Sequence, residues 1–561
     1  MISDRPWVKS YDEGVPAQIE YPDFPVHEFL ERSAKKFPDH AMTVFKGAVI
    51  TYSEMDKITD RLAAGLDSIG VKKGDRVGVF IPNSPQFVLA YYALLKIGAV
   101  VVATNPLYTE REIIHQANDS GMETMILMTN NYEKVKSIQA QTKIKRIVAT
   151  NIKEALPPVT SLLFTLLREK KGGFKVTLRD GDFWMQDLIA KFKPEDRPKV
   201  DIGPQDTALF QYSGGTTGVS KGVVARHEGV VANVYQIHAW NPSAIEGGEV
   251  VLMAIPLYHA YGMVVGICYG TMNGATLVMV PDPRNTKDVL DNLTKNKASF
   301  YPGVPAMYNA INNHPDVISG KYDLSTIKFC LSGSAPLLRE TKERFEEITG
   351  GKLVEGYGLS EAPVATHSNP VDGENRTGSI GLPLPNVECR VVDLDDGVTD
   401  LPQGEIGELL IRGPMVMKGY HNMPTETANT LRDGWLYTGD IVYMDEDGFF
   451  YIVDRKKELI KPGGFQVWPR EVEEVIQEFS KVLEVGVAGI PDASSGEAVK
   501  AWVVLKPGES ATVEDIRAWC KERLAGYKVP KQIEFRDELP KSTVGKILRR
   551  ELVRLHKENV D

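Results

Sequence analysis

Apolar and polar positions follow two different periods along this chain. Between about residues 25 and 300, helical patterns such as 62–69 and 87–95 are separated by short β-branched runs such as 76–81 and 99–103. Alternation of this kind predicts parallel β-sheets covered by helices on both faces. We therefore expect a large α/β domain over this part of the chain.

The pattern changes in the last third of the chain. From 378 to 413, short strand-like runs are closely punctuated by glycine and proline, which predicts a small β-rich part. The segment 454–464 combines charge, proline and glycine, a composition typical of a domain boundary. Two strand-like runs and a helical pattern follow. We therefore predict a fold of three parts: an N-terminal α/β domain over 1–453, its β-rich subdomain at about 378–453, and a small, mobile α+β C-terminal domain over 454–561.

Composition and charge exclude several classes of function. The chain has 561 residues, 42% of them hydrophobic and 25% charged, as in ordinary globular proteins. Its net charge of −10 argues against a general nucleic-acid binder. Paired spacing, which would indicate zinc or disulfides, is not seen among the cysteines, and this favours a reducing cytoplasm. They are Cys268, Cys330, Cys389 and Cys520.

One segment bears on membrane contact. No apolar run approaches the roughly 20 residues that span a bilayer. The nearest candidate, 156–167, is interrupted by prolines and hydroxyl residues and is followed by the basic segment 168–171. We expect a packed insertion loop or helix here, with a helix on a membrane surface as the alternative.

A glycine-rich loop at 212–222 follows the apolar run 207–210 and is typical of a phosphate-binding turn. Glycines let backbone amides approach a polyphosphate, and hydroxyl and ammonium groups can donate to it. The donors are Ser213, Thr216, Thr217 and Lys221. It is not a Walker A loop, because Ser220 precedes Lys221 and Gly222 follows it. ATP is the first ligand that this loop suggests.

Further clusters follow other apolar strands, where α/β proteins build ligand crevices. His259 lies in 255–262 with two tyrosines, and glycines and polar groups recur in 333–336 and 355–361. Because Mg²⁺ prefers hard oxygen ligands, Glu361 is a candidate for binding it.

The C-terminal third adds three charged candidates. Asp440 and Arg455 supply a carboxylate and a guanidinium suited to a ribose diol. Lys546 stands between a glycine and an apolar pair, although most lysines are merely solvated.

Taken together, these motifs resemble the ANL adenylate-forming enzymes, which include acyl-CoA synthetases, nonribosomal peptide adenylation domains and beetle luciferases. The resemblance covers nearly the whole chain and is greatest to bacterial long-chain fatty-acid–CoA ligases, through 5–16, 104–111, 352–361 and 525–531. Two positions depart from the family pattern: Ser220 replaces a usual proline, and Ser360 a usual threonine.

The resemblance implies an ATP- and Mg²⁺-dependent reaction in two steps, with coenzyme A as co-substrate. A fatty carboxylate would attack the α-phosphate of ATP to give acyl-AMP and pyrophosphate, and coenzyme A would then displace AMP. The nucleotide would be held by Ser213, Gly214, Gly215, Thr216, Thr217, Gly218, Lys221, Gly333, Ser334, Ala335, Glu355, Gly356, Tyr357, Gly358, Ser360, Asp440 and Arg455.

The resemblance also implies individual roles. Thr216 and Glu361 would hold Mg²⁺, and Lys546 would bridge the carboxylate and the α-phosphate during adenylation. Lys457 would be the hinge about which the C-terminal domain rotates, and Gly463 and Gly464 would line the path of the pantetheine arm. The acyl group would meet His259, Tyr261, Met263, Gly333 and Gly356, where Met263 replaces the gating tryptophan of some relatives. The catalytic set would be Lys546, Glu361, Thr216 and His259.

Several alternatives stay open. A ligase for medium-chain or aromatic acids would share every nucleotide-binding residue, and a carrier-dependent adenylation protein or a non-catalytic ATP or acyl sensor could use the same scaffold. We expect the fatty acid, ATP and coenzyme A as partners, and no nucleic acid. A cytoplasmic location is expected, with peripheral contact at the inner face of the membrane and a homodimer as open alternatives.

Overall fold

The computed structural model describes residues 5–213, 220–492, 495–542 and 545–558. Contacts between Cα atoms divide the chain into two units. We call residues 10–388 and 412–436 the large unit, and residues 1–9, 389–411 and 437–561 the small unit. The boundary predicted at 454 lies within the small unit, and the rotation predicted there stays a prediction.

An eight-stranded β-sheet organises the large unit. Its strands lie in the order Gly419–Tyr420, Lys221–Arg226, Thr207–Ser213, Val100–Ala103, Arg76–Phe80, Thr124–Met128, Arg146–Thr150 and Phe183–Trp184. The last six are parallel to one another, and the first two are antiparallel to their neighbours. Val101 and Val100 belong to different core clusters, because successive side chains point to opposite faces of a strand. Both faces of this sheet are therefore packed, as the continuous apolar runs predict.

Two four-stranded sheets complete the β-structure that surrounds the candidate site in the large unit. The first has the order Val250–Met253, Thr276–Met279, Ala41–Phe45 and Ala48–Thr51. The second has the order Phe329–Ser332, Lys352–Leu359, Ala362–Ser368 and Leu382–Pro383. Single bridges through Phe300 connect Val251 to Phe329. The two sheets thereby bring the segments after Met253, Ser332 and Leu359 into one region.

The helices of the large unit follow the apolar periods of the sequence. Tyr52–Ser68 begins at a capping box formed by Thr51 and Glu54, and Pro85–Lys96 begins with proline in its first turn. Every residue of the latter helix is buried, and Lys96 is neutralised by Asp56 and Asp60 at 2.6 and 2.7 Å. The other α-helices are Glu28–Lys36, Glu110–Ser120, Tyr132–Ile138, Pro158–Leu167, Met185–Lys191, His227–Trp240, Tyr269–Met272, Thr286–Lys295, Pro305–Asn312, Pro315–Ile318, Arg339–Thr349 and Pro424–Thr430.

The small unit contains two sheets. In one, Glu388–Val392, Gly407–Arg412 and Trp435–Met444 are neighbours in that order, and Trp435–Met444 also pairs with Leu431–Arg432 and with Phe450–Arg455. In the other, Val482–Asp492 pairs antiparallel with Gly496–Leu505, which pairs parallel with Gln532–Phe535. The helices are Pro469–Gln477, Val513–Lys521 and Arg549–Glu558. Trp7 is buried in this unit, with its ring edge-on to Phe450 at 6.1 Å.

These observations confirm the predicted fold class, with parallel α/β sheets, a β-rich part and a small α+β part. The insertion at 156–167 differs from its expected packing. It forms the helix Pro158–Leu167, but none of the ten residues is buried, so the packed-insertion prediction was wrong. Over the described residues, we find no helix with the length and hydropathy that a membrane crossing requires.

Candidate functional site

The strands that flank the glycine-rich loop form an antiparallel hairpin. Ser213 pairs with Lys221 and Tyr212 with Gly222, so the two ends of the loop lie side by side. A Cβ on Gly222 would lie 3.1 Å from the Tyr212 ring, which explains the small residue there. The predicted ligands Gly214, Gly215, Thr216, Thr217 and Gly218 lie outside the described residues.

Lys221 and Glu361 converge on one tyrosine that the sequence analysis missed. The Tyr420 hydroxyl donates to Glu361 Oε1 at 2.9 Å, and the Lys221 ammonium lies 5.0 Å from the centre of the Tyr420 ring. Lys221 also forms an ion pair with Glu426. Burial and the Glu361 carboxylate raise the pKa of Tyr420, which stays a neutral donor. A cation predicted to bind phosphate and a candidate Mg²⁺ ligand are thus linked through a single ring.

The turn that carries Glu361 is held by its strand connections. Ser360 and Glu361 join the strands Lys352–Leu359 and Ala362–Ser368, and the Glu361 carbonyl accepts a hydrogen bond from the Met417 amide at 2.7 Å. Among the described residues, no group of three or more Asp, Glu, His or Cys side chains could hold a metal ion. The oxygen donor of Glu361 fits Mg²⁺ that is bound largely by phosphate oxygens, as hard cations with few protein ligands are.

Three residues predicted to line the acyl pocket are neighbours. A Cβ on Gly333 would lie 3.6 Å from the Tyr261 ring and 3.8 Å from the Gly356 carbonyl oxygen. The Tyr261 hydroxyl donates to the Leu331 carbonyl at 2.6 Å, which fixes the ring. Ser334 follows with a positive φ of 69°. Gly333 therefore leaves space beside a fixed aromatic wall, whereas a Cβ on Gly356 would lie 2.9 Å from the Leu331 side chain, so Gly356 is required by packing.

His259 lies at the start of the same wall. Its Nδ1 accepts a hydrogen bond from the Tyr261 amide at 3.2 Å. The ring is half-buried, and desolvation lowers its pKa to about 4, so it is neutral at neutral pH. Met263 is fully buried in the π-helical stretch Gly262–Cys268, a type of turn that is frequent at functional sites.

The strand Lys352–Leu359 also supplies the residues predicted to frame the nucleotide. Tyr357 packs edge-on to His367 at 5.6 Å, and burial lowers the pKa of His367 to about 3. A Cβ on Gly358 would lie 1.4 Å from the Val364 carbonyl oxygen, so only glycine fits. Glu355 is buried and accepts a long hydrogen bond from the Leu337 amide at 3.4 Å.

In the small unit, Asp440 and Arg455 are cross-strand partners. Their strands pair antiparallel, and Arg455 Nε lies 2.9 Å from Asp440 Oδ1. Asp440 is buried, whereas Arg455 is half-exposed. The pairing predicted for a ribose diol is therefore preformed on two adjacent strands.

Lys546 belongs to the same neighbourhood. Its amide and carbonyl bond Ser542 at 3.2 and 2.8 Å, and Gly545 precedes it with a φ of 76°. Although the residue as a whole is exposed, desolvation by the protein atoms around its ammonium lowers its pKa to about 8. The positive charge of Arg455 also lowers the pKa of Lys546, whereas the negative charges of Asp440 and Glu458 raise it. The structure thus groups Lys546 with the predicted ribose ligands.

An ionic network that the sequence analysis missed, of one buried and three half-buried side chains, lies beside these residues. Arg549 forms ion pairs with Asp454 at 3.0 Å, with Glu473 at 2.5 Å and with Glu458. Asp454 also accepts from the amides of Arg455 and Arg470 at 2.7 and 2.6 Å. The three acids raise the pKa of Arg549 despite its burial, so it stays charged.

The remaining predicted residues are placed as follows. Ala335 follows Ser334 in the segment after Phe329–Ser332, and Lys457 lies in the short 3₁₀ turn Lys456–Glu458. Gly463 and Gly464 lie in the turn Pro462–Gly464, where Gly463 has a φ of 59° and donates to the Ser495 carbonyl at 2.8 Å.

Known proteins resemble this chain over nearly its whole length. The family model described as AMP-binding enzyme matches residues 30–421, and that described as AMP-binding enzyme C-terminal domain matches 471–546. A long-chain-fatty-acid–CoA ligase of Bacillus subtilis is 42% identical over 100% of this chain and 99% of its own. The 4-coumarate–CoA ligase CCL1 of Humulus lupulus is 33% identical, over 94% and 93%. The crystal structure of ATP-bound MatB from Rhodopseudomonas palustris superposes with a TM-score of 0.82 at 28% identity, covering 96% of this chain and 100% of that one.

Proposed function

Because this chain belongs to the family of AMP-binding enzymes, we propose that it is an ATP-dependent ligase that joins long-chain fatty acids to coenzyme A. The observation that carries the proposal is the convergence of Lys221 and Glu361 on Tyr420. Full-length similarity to a long-chain-fatty-acid–CoA ligase supports the choice of substrate.

The first step forms acyl-AMP. A carboxylate oxygen of the fatty acid attacks the α-phosphorus of ATP, and the bond to the bridging oxygen breaks to release pyrophosphate. Because both reactants are anions, the protein must align them and offset their charge. Lys221 would bind the β- and γ-phosphates, and Lys546 would contact the carboxylate and the α-phosphate.

Glu361 and Thr216 would hold Mg²⁺, which supplies positive charge to the phosphate oxygens. Tyr420 positions the Glu361 carboxylate by donating to one of its oxygens. Asp440 would accept from the ribose hydroxyls, and Arg455 holds that carboxylate in place at 2.9 Å.

The second step transfers the acyl group. The thiol of coenzyme A loses its proton to solvent and its sulfur attacks the acyl carbon, the bond to the phosphate oxygen breaks, and AMP leaves with the electron pair of that bond. The family resemblance implies that Lys546 is needed only in the first step, so we propose that the C-terminal domain rotates about Lys457 between the steps. Gly463 and Gly464 would then line the path of the pantetheine arm.

The acyl chain would lie against the wall formed by Tyr261 beside Gly333 and Gly356. Because His259 is neutral, it would not form an ion pair with the fatty carboxylate that would hold this group away from ATP. Met263 would contribute an apolar, adaptable side chain to the acyl pocket.

A direct test measures the two steps separately. Pyrophosphate release is measured on mixing the enzyme with ATP, Mg²⁺ and saturated acids of graded length, and thioester formation is measured from supplied acyl-AMP and coenzyme A. We expect both, with release greatest for long acids. Lys546→Ala should reduce release by at least about a hundredfold, the scale of an electrostatic catalyst, and spare thioester formation. The exposed Lys557→Ala serves as the matched control.

Two other outcomes would change the proposal. The similarity to a 4-coumarate–CoA ligase favours an aromatic or medium-chain acid as the second candidate, and an optimum at such acids would establish it. No pyrophosphate with any acid would indicate an ATP or acyl sensor.

We also propose a cytoplasmic location close to a membrane. All four cysteines are free and buried, as in a reducing compartment. Long-chain acids partition into lipid, so an enzyme that consumes them gains access to substrate at a membrane surface.

A further inference from the structure

The helix Pro158–Leu167 presents its apolar side to solvent. Its outer residues are 50–71% exposed, and we call them the apolar face: Val159, Leu162, Leu163, Leu166 and Leu167. The first four have the spacing i, i+3, i+4 and i+7, which places them on one side of a helix. Scattered exposed leucines are ordinary, but five on one helix form a patch.

The inner side of this helix makes few contacts. Ser161 and Phe164 are half-buried, and Phe164 packs edge-on to Phe174 at 5.4 Å. A surface helix of a globular protein normally turns its apolar stripe to the core. In this helix the apolar side faces solvent instead, so packing within the chain does not explain why these residues are apolar.

A basic segment follows the apolar face directly. It comprises four exposed cations, Arg168, Lys170, Lys171 and Lys175. Their side chains make no hydrogen bond or ion pair with any residue that the structure describes. The acidic residue of this segment, Glu169, is instead buried and bonded to Lys153 at 2.8 Å and Asn151 at 2.9 Å. On a chain with a net charge of −10, this segment presents only positive charge.

The basic segment is fixed next to the helix. Gly172 donates to the Arg168 carbonyl at 2.7 Å, and Phe174 donates to the Glu169 carbonyl at 2.9 Å. Phe174 in turn packs against the core of the large unit. The cations therefore stay at the C-terminal end of the apolar face.

We propose that the apolar face and the basic segment form a docking surface for an anionic phospholipid membrane. Leucine side chains would enter the boundary between headgroups and acyl chains, while the cations lie at the level of the lipid phosphates. A symmetric dimer through this surface is disfavoured, because the same surface of a second copy has, among its described residues, no exposed acidic residue to pair with the basic segment. Docking itself does not depend on the ligase reaction; only its use in substrate capture rests on the proposed function.

Vesicle flotation of the full chain tests the proposal without ATP or coenzyme A. We expect binding to vesicles of phosphatidylcholine with one third phosphatidylglycerol, and about tenfold weaker binding to phosphatidylcholine alone or in about 0.5 M NaCl. Leu162→Ser with Leu166→Ser should lower binding about tenfold or more. Ile318→Ser with Val398→Ser, at sites that are each 61% exposed, is the matched control and should leave binding unchanged.

Charge is tested by a second pair of variants. Lys170→Glu with Lys171→Glu should abolish the preference for anionic vesicles. Lys143→Glu with Lys506→Glu changes charge equally at exposed positions elsewhere and should have no effect.

A label gives a readout that a folding defect cannot imitate. Because the four native cysteines are buried, Leu166→Cys can be labelled selectively with an environment-sensitive fluorophore. Its emission should shift to the blue on anionic vesicles, and that of labelled Ser161→Cys on the inner side should shift less.

Three results would overturn the proposal: equal binding to neutral and anionic vesicles, binding unchanged by the leucine variants, or no shift of the label at Leu166. Loss of self-association in the leucine variants, with no binding to vesicles by the parent protein, would assign the surface to a homodimer instead.

Discussion

The lowered pKa of Lys546 predicts how adenylation depends on pH. The ammonium must be charged to offset the carboxylate and the α-phosphate, and its pKa is about 8 instead of the ordinary 10.5. With a pKa of about 8, the protonated fraction falls from about nine-tenths at pH 7 to about one-tenth at pH 9. The rate of adenylation should therefore fall about tenfold over this interval, whereas an ordinary lysine would leave it almost unchanged.

The assay is kcat/KM for pyrophosphate release without coenzyme A, because kcat/KM reports the pKa values of the free enzyme. Omitting coenzyme A also removes its thiol, which titrates in the same range. Lys546→Arg keeps the positive charge at every pH used. Its rate is expected to be lower throughout, with no decline between pH 7 and 9.

Stability should change in the opposite direction to activity. Since the pKa of Lys546 is lower in the folded state, the unfolded chain binds more protons between about pH 8 and 10.5, and this group's contribution to the free energy of unfolding rises with pH there. A thermal midpoint measured alongside the rates thus separates titration from unfolding. A decline that begins only near pH 10, or an identical decline in Lys546→Arg, would refute the assignment.

Three further substitutions test the described site. Tyr420→Phe removes the hydrogen bond to Glu361 and should raise the Mg²⁺ concentration for half-maximal pyrophosphate release several-fold, while costing only about 1 kcal/mol of stability. Gly358→Ala places a Cβ 1.4 Å from the Val364 carbonyl oxygen and should destabilise the large unit by more than about 3 kcal/mol in chemical denaturation. Arg549→Met leaves the buried Asp454 and two half-buried acids unpaired and should destabilise the small unit by up to about 3 kcal/mol, also measured by denaturation.

Each of these three predictions has a control or an outcome that would contradict it. Unchanged Mg²⁺ dependence in Tyr420→Phe would mean that the tyrosine does not position the carboxylate. Gly203→Ala, in the same unit, is the control for Gly358→Ala, because the heavy atom nearest to the added Cβ lies 3.9 Å away, and equal losses would disprove the steric argument. Arg550→Met, at the exposed neighbouring position, should be nearly neutral.

The sequence predicts local features of this fold well, because they depend on nearby residues. The buried runs 76–81 and 99–103 alternate with helices, and both became strands of one parallel sheet. Gly333 and Glu361 could be selected as candidates because they belong to glycine- and polar-rich segments that follow strands. Ligand crevices of α/β proteins form at the ends of strands.

Features that depend on contacts between residues far apart in the chain could not be predicted from the sequence. Tyr420 reaches Glu361 because its short strand adds to the edge of the eight-stranded sheet, where Gly419 pairs with Val224. Its own segment carries no periodic pattern to indicate this. Arg549 is similar, because its three acidic partners come from separate segments. Because lysines are seldom buried without a partner, the position of Lys221 in a strand indicates that an acidic partner exists. Nothing in the sequence identifies this partner as Glu426.

The helix Pro158–Leu167 shows a limit of a different kind. Composition predicted burial for its leucines, yet the side that faces the protein carries Ser161 and Phe164. The hydrophobicity of a side chain indicates that it prefers to leave water. It does not indicate whether the side chain enters the core of its own chain or another apolar environment.

The burial of Trp7 against Phe450 has a consequence for how the protein is made. The tryptophan is synthesised more than four hundred residues before the strand that receives it. At ordinary elongation rates, the nascent segment around Trp7 waits roughly 20 to 90 s for its partner. During that interval an aromatic side chain that is buried in the folded protein stays available to chaperones.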